Sequence, residues 1–179
     1  MMYLKYIIFL PFDIVMKILG LILAPFFSLF VDENGDLPSA LYWFQTPDSN
    51  MFGMYGDAGF WQEHQDDTHT LLGRWWVCTL WQWRNTSHGF SVFILGVYDM
   101  NKPLITKWES GDGDLKKYFK FVDGVGFDFK GSFKYPFVAY RLRWRLGWKL
   151  HQDPNHKAQY VFSISPFIRA NDWEIYAKK

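Results

Sequence analysis

The sequence is poor in cysteine, in catalytic signatures and in unbroken apolar runs. Cys78 stands alone among 179 residues, which excludes an intrachain disulfide framework and any zinc or iron–sulfur site built from several cysteines. There is no Walker loop, GxGxxG turn, GxSxG elbow, kinase signature or HExxH pair, so none of the enzyme classes that carry these motifs is written in the chain. Charge is nearly balanced, 19 Lys+Arg against 18 Asp+Glu for a net +1, which does not fit a generally basic nucleic-acid binder. No uncharged stretch reaches the roughly 20 apolar residues of a membrane span. The longest, Ile18 to Val31, has 14.

What the chain holds instead is aromatic mass: 18 Phe, 10 Tyr and 10 Trp, with 49% hydrophobic residues overall. That excludes global disorder, and aromatic side chains suit the pleated, half-buried surface of a sheet. Charge is laid out unevenly. Residues 1–31 sum to +1, residues 32–73 to −8 without a single Lys or Arg, and residues 74–179 to +8. Three units follow: an apolar N-terminal helix over 1–31, an acidic loop-rich connector over 32–73, and an aromatic-rich β domain over 74–179.

The N-terminal unit reads as a helix that prefers lipid to water. Asp13 and Lys17 are four apart, acid first, which is the favourable helical pairing. At about 100° per residue, Asp13, Lys17, Gly20, Ala24 and Ser28 share one stripe, and large apolar residues cover the rest. Such a helix can turn its small, polar stripe to a partner helix, or lie flat at the membrane interface. The residues expected to touch lipid are Ile7, Phe9, Ile18, Leu21, Leu23, Phe26 and Phe27. Pro11 and Pro25 should bend or split the helix. A soluble core helix and a cleaved signal peptide are the other readings, the latter weakened by the lack of a small-x-small site before Asp32. A spanning helix with Lys5 and Lys17 would keep its N-terminus cytoplasmic.

In the connector, Asp32-Glu33-Asn34-Gly35-Asp36 resembles the start of a calcium loop, but Trp43 stands where a bidentate Glu is required. A short helix is expected over Ser39–Phe44. The cluster of His64, Asp66, Asp67 and His69 combines imidazoles with carboxylates and is the place where a divalent metal would sit, if anywhere. Its spacing matches no standard zinc pair, and a solvated polar loop is the simpler account. No other cofactor is implied.

Beyond residue 74 the periodicity favours two. Arg74–Trp83 and Phe90–Tyr98 read as a hairpin, followed by strands over Leu104–Glu109, Leu115–Phe121, Val125–Lys130, Phe137–Leu150, Tyr160–Ser165 and Trp173–Tyr176. The expected fold is mainly β, an antiparallel sandwich or barrel-like domain preceded by the apolar helix. Arg141, Arg143 and Arg145 alternate with Leu142, Trp144 and Leu146, so three guanidiniums share one face of a strand. Lys149 joins them unless Gly147 makes a bulge. These four are candidates for binding an anionic surface, with internal pairing to the acidic connector as the alternative.

Trp43-Phe44-Gln45-Thr46-Pro47-Asp48, Trp83-Arg84-Asn85 followed by Gly89-Phe90, Leu146-Gly147-Trp148-Lys149, and Phe162 with Pro166-Phe167 occur in an order that resembles a group of uncharacterised tailed-bacteriophage proteins. These pair an apolar N-terminus with an aromatic-rich domain. Thr86-Ser87 stands where a proline-bearing turn is expected. The resemblance implies a phage origin and no catalytic residues. The function expected is that of a non-enzymatic, membrane-associated protein at the inner membrane of the infected host, working through membrane lipid and a host or phage protein partner. A metal-dependent hydrolase using the His64–His69 cluster and a structural virion component are the alternatives. Oligomeric state leaves no signal in the sequence.

Overall fold

The computed structural model describes residues 2–47, 49–55, 58–86, 89–95, 97–98, 106–111, 117–122, 126–138, 140–149 and 158–169. The chain opens with α1 (Met2–Phe27), which tightens into a 3₁₀ turn at Ser28–Phe30. A 3₁₀ turn at Ser39–Phe44, α2 (Ala58–His64), another 3₁₀ turn at Gln65–His69, α3 (Leu71–Arg84) and α4 (Gly89–Leu95) follow. Six strands come after them: β1 (Val97–Tyr98), β2 (Thr106–Gly111), β3 (Lys117–Val122), β4 (Gly126–Lys134), β5 (Tyr140–Lys149) and β6 (Ala158–Arg169). They form one antiparallel sheet in the order β1-β6-β5-β4-β3-β2.

This is a helix-rich chain with an antiparallel sheet, not the mainly β sandwich or barrel expected from its aromatic content. The correction lies in two segments. Arg74–Trp83, expected as a strand, is the body of α3, and most of Phe90–Tyr98 is α4, with only Val97 and Tyr98 extended. The helix signals were local. The Thr70 hydroxyl caps α3 by accepting the Gly73 N–H at 3.0 Å, which satisfies an orphan donor of the first turn. Val77, Cys78, Trp81 and Gln82 are buried at i, i+1, i+4 and i+5, a stripe of period 3.6. Adjacent tryptophans on a strand would point to opposite faces. Here Trp75 and Trp76 touch, with ring centroids 5.9 Å apart, as neighbours about 100° apart on a helix can. The extended reading of 106–169 corresponds to β2 through β6 within a few residues. Trp173–Tyr176 lies outside the described residues.

The core is built from helix and connector rather than from two sheets. Phe27, Leu37, Met51, Phe52, Phe60, Val77, Cys78 and Trp81 form its buried cluster. The acidic connector is held by side chains acting as backbone partners. Gln45 accepts the Leu37 N–H at 2.7 Å and donates to Asp36 Oδ1 at 2.7 Å. Asn50 donates to the Asn34 carbonyl and accepts the Met54 N–H. Asp32 spends its carboxylate on the N–H groups of Asn34 and Asp36, an Asx-type turn. Gly89 opens α4 against the 3₁₀ turn at Ser39–Phe44. A Cβ there would sit 2.3 Å from the Tyr42 carbonyl, so the approach requires glycine.

In the sheet, β4 and β5 pair Lys130 with Arg145, Ser132 with Arg143 and Lys134 with Arg141. One face therefore carries the charges, and the other carries Phe129, Phe133, Leu142, Trp144 and Leu146. Trp144 lies across Gly131, where a Cβ would be 2.1 Å from the indole. Register runs unbroken through Gly147, and the irregularity falls between Arg141 and Arg143 instead. β1 covers only the first two residues of β6. Farther along that edge Thr86 Oγ1 accepts the Ile164 N–H at 3.2 Å, so the turn after α3 supplies a partner to the strand edge.

Candidate functional site

The candidate site is the outward face of α1. Tyr6, Asp13, Lys17, Gly20, Ala24, Phe27 and Ser28 are buried, at the 7, 4, 3, 4, 3 and 1 spacings of a single helical stripe. Leu4, Ile7, Ile8, Phe12, Val15, Ile18, Leu19, Ile22, Leu23 and Phe26 are exposed, and the surface continues over Leu29 and Phe30. The polar and small residues turn inward and the large apolar ones turn out, the reverse of a soluble surface helix. Leu4–Phe30 is long and apolar enough to cross a membrane, and only 22% of its apolar window is buried.

The stripe is docked at both ends and in the middle. Tyr6 Oη accepts the Gly147 N–H of β5 at 2.9 Å, and its ring meets Phe127 edge-on. Asp13 and Lys17 form an ion pair at 3.2 Å, both 3% exposed. Ser91 of α4 donates to Asp13 Oδ1 at 2.8 Å and lies 3.4 Å from Lys17 Nζ. Hydrogen bonding to a third group offsets part of the desolvation that such a pair incurs. Ser28 and Thr79 hydroxyls meet at 3.2 Å.

Two indoles complete the seam. Pro25 has no N–H, so the Leu21 carbonyl lacks its i+4 partner. Trp83 Nε1 donates to that carbonyl at 3.0 Å, and Trp75 Nε1 donates to the Pro25 carbonyl at 2.7 Å. The proline expected to split the helix is bridged by α3 instead, and α1 runs through both Pro11 and Pro25.

Of the residues expected to touch lipid, Ile7, Ile18, Leu23 and Phe26 are exposed on the outward face, while Phe9 and Leu21 are half-buried. Phe27 belongs to the core and stacks on Phe44 with centroids 4.2 Å apart, a correction that its place on the Gly20–Ala24 stripe explains. Leu4, Ile8, Phe12, Val15, Leu19 and Ile22 were missed, although the same 100° count would have found them.

The arginine row is divided. Arg145 makes two hydrogen bonds to Asp128, Nε to Oδ1 at 2.8 Å and Nη2 to Oδ2 at 2.6 Å, and Asp128 is fully buried. Lys130 approaches the same carboxylate at 3.5 Å. The counter-charge comes from the neighbouring strand, not from the acidic connector, because cross-strand pairing brings Asp128 within reach. Arg145 is thereby committed internally. Arg141 donates to Ser132 at 3.2 Å, Arg143 is half-buried, and the side chain of Lys149 lies outside the described residues.

The imidazole cluster does not close. His64 Nδ1 is 3.5 Å from Asp67 Oδ2, and Asp66, Asp67 and His69 are exposed. Among the described residues no three His, Cys, Asp or Glu side chains form a group that could hold a metal. His64 lines a cavity of about 270 Å³ with Phe60, Glu63, Trp76, Leu80, Trp83, Arg84 and Tyr140. The Arg84 guanidinium sits 5.7 Å above the Phe60 ring there. Cys78 is buried, and burial pushes its thiol up to about 12, so the thiolate needed for nucleophilic chemistry is scarce near neutral pH.

The chain matches, over residues 1–172, a family described as "Family of unknown function (DUF7338)", and it belongs to that family. No curated protein and no solved structure matches it.

Proposed function

We propose that this member of a family of unknown function is a monotopic membrane protein, which holds its helix–sheet body on one leaflet with α1 lying in the membrane plane. One observation carries the reading: α1 is docked on the body from Tyr6 onward while its opposite face presents large apolar side chains. From Tyr6 to Ser28 the docked stripe covers about 33 Å of helix axis, close to the ~30 Å of a hydrocarbon core. If α1 crossed the bilayer upright, Gln82 and the Asp13–Lys17–Ser91 contacts would enter with it, and so would much of the body. Lying flat, the helix sinks only its outward face to the depth of the acyl boundary. The twelve exposed apolar residues from Leu4 to Phe30 are roughly half accessible. At about 1.5–3 kcal/mol for each full burial, their transfer is worth on the order of 10 kcal/mol.

On this reading the protein works through contacts with lipid and with a protein partner rather than by turnover. The setting we propose is the inner membrane of a phage-infected bacterium, supported by the sequence resemblance at Trp43–Asp48 and the later motifs.

Fractionation of the expressed full chain and labelling of Lys5→Cys and Glu33→Cys with a membrane-impermeant maleimide test the proposal. Both positions should react from the same side of sealed vesicles. Reaction from opposite sides would replace the in-plane helix with a spanning one. Recovery of the intact chain in the soluble fraction would end the membrane reading.

A further inference from the structure

We infer that the turn between β4 and β5 is a second lipid contact, in which Phe137 and Val138 enter an anionic leaflet while Lys134 and Arg141 meet its phosphates. The inference rests on the membrane reading above but concerns a separate element.

Three observations converge on this turn. Phe137 has φ 72°, the one positive value at a non-glycine residue among those described. That conformation is strained for a bulky side chain and normally falls to Gly or Asn. Strain of this kind persists where the surroundings or the function hold it. Here the ring gains no burial in return, since Phe137 is fully exposed at 102% and Val138 is 52% exposed. The ring is held out at the tip of a hairpin that is closed below by the Tyr135 N–H to Tyr140 carbonyl bond.

Charge supplies the second observation. Lys134 and Arg141 sit directly opposite each other at the base of the turn. Like charges in that position disfavour strand pairing. An apolar tip above paired cations has the layering of a bilayer surface, with acyl chains beneath phosphates.

Continuity is the third. Tyr140, at the foot of the turn, lines one cavity with Trp76 and Trp83, and Trp83 is bonded to the Leu21 carbonyl of α1. The turn and the outward helix are therefore linked across a single aromatic wall in which Trp76 and Tyr140 remain exposed. Tryptophan and tyrosine favour the headgroup level.

Fluorophore quenching separates the two claims. The full chain is labelled with nitrobenzoxadiazole at Phe137→Cys or at Ile22→Cys, with buried Cys78 as the only native thiol. Each protein is reconstituted into vesicles of equal parts phosphatidylcholine and phosphatidylglycerol carrying acyl-chain nitroxides. Quenching at both positions is expected, with the loss at 137 reduced in phosphatidylcholine alone and the loss at 22 retained. Quenching at 22 with none at 137 would overturn the second contact and leave the in-plane helix standing. Equal quenching at 137 in both lipids would overturn the role of Lys134 and Arg141. Absence of quenching at both positions would overturn both readings.

Discussion

Asp13 and Lys17 show how much a single charged pair can decide. In a helix of this hydropathy two ionised groups look like defects, yet they are among its most buried side chains. Their pairing, and Ser91 across the seam, make burial tolerable. Removing one partner strands the other in an apolar seam, so Asp13→Leu should lower stability by roughly 3–5 kcal/mol. The double variant Asp13→Leu with Lys17→Met should recover most of that loss, because no lone charge remains. Chemical denaturation of the detergent-solubilised chain, followed by circular dichroism, measures both. A double variant no better than the single one would show that the pair itself holds the stripe in register. The sequence announced the pair through its i,i+4 spacing. It did not announce Ser91, which lies 78 residues from Asp13 and is brought there by α4.

At the level of elements, α1 and α3 form a seam whose logic is the satisfaction of backbone groups. Pro25 removes a donor, and the Trp83 indole supplies one to the Leu21 carbonyl. Trp83→Phe should cost about 1–3 kcal/mol by leaving that carbonyl unpaired in a half-buried site. Pro25→Ala restores a backbone N–H at the correct position. The cost of Trp83→Phe should therefore shrink markedly in a Pro25→Ala background. A double-mutant cycle on thermal unfolding reads this coupling, and strict additivity would mean that the indole bond adds little. The missed helices belong to this scale too. By composition Trp, Val, Cys and Thr suit a sheet, whereas the Thr70 cap and the period of Val77, Cys78 and Trp81 specify the helix α3. β propensity depends on what packs against the segment, and here α3 lies across α1 and the face of β6 instead of pairing edge to edge with a strand.

Across the whole molecule, one side of α1 belongs to the fold and the other does not. Ile22→Glu, on the exposed face, should leave thermal unfolding in detergent nearly unchanged and weaken association with phosphatidylglycerol-containing vesicles at least about tenfold, given the burial energy of one large apolar side chain. Ala24→Glu, two residues away on the fully buried face, should instead prevent folding, since no space and no counter-charge await it. Flotation and melting measured on both variants test that division, and equal vesicle binding by Ile22→Glu and the parent chain would argue against a lipid role for the outward face. The stripe of Asp13, Lys17, Gly20, Ala24 and Ser28 was legible beforehand, because helical periodicity is a local property that needs only the order of residues. The alternating Arg141, Arg143 and Arg145 were legible for the same reason. What required the tertiary structure was every choice of partner: α3 and the sheet together against the apolar helix, Asp128 rather than the connector for Arg145, and the unclosed group of His64, Asp66, Asp67 and His69. Spacing along a chain sets which side chains share a face, but the identity of what lies opposite depends on contacts between segments far apart in sequence, and those are determined only when the chain packs.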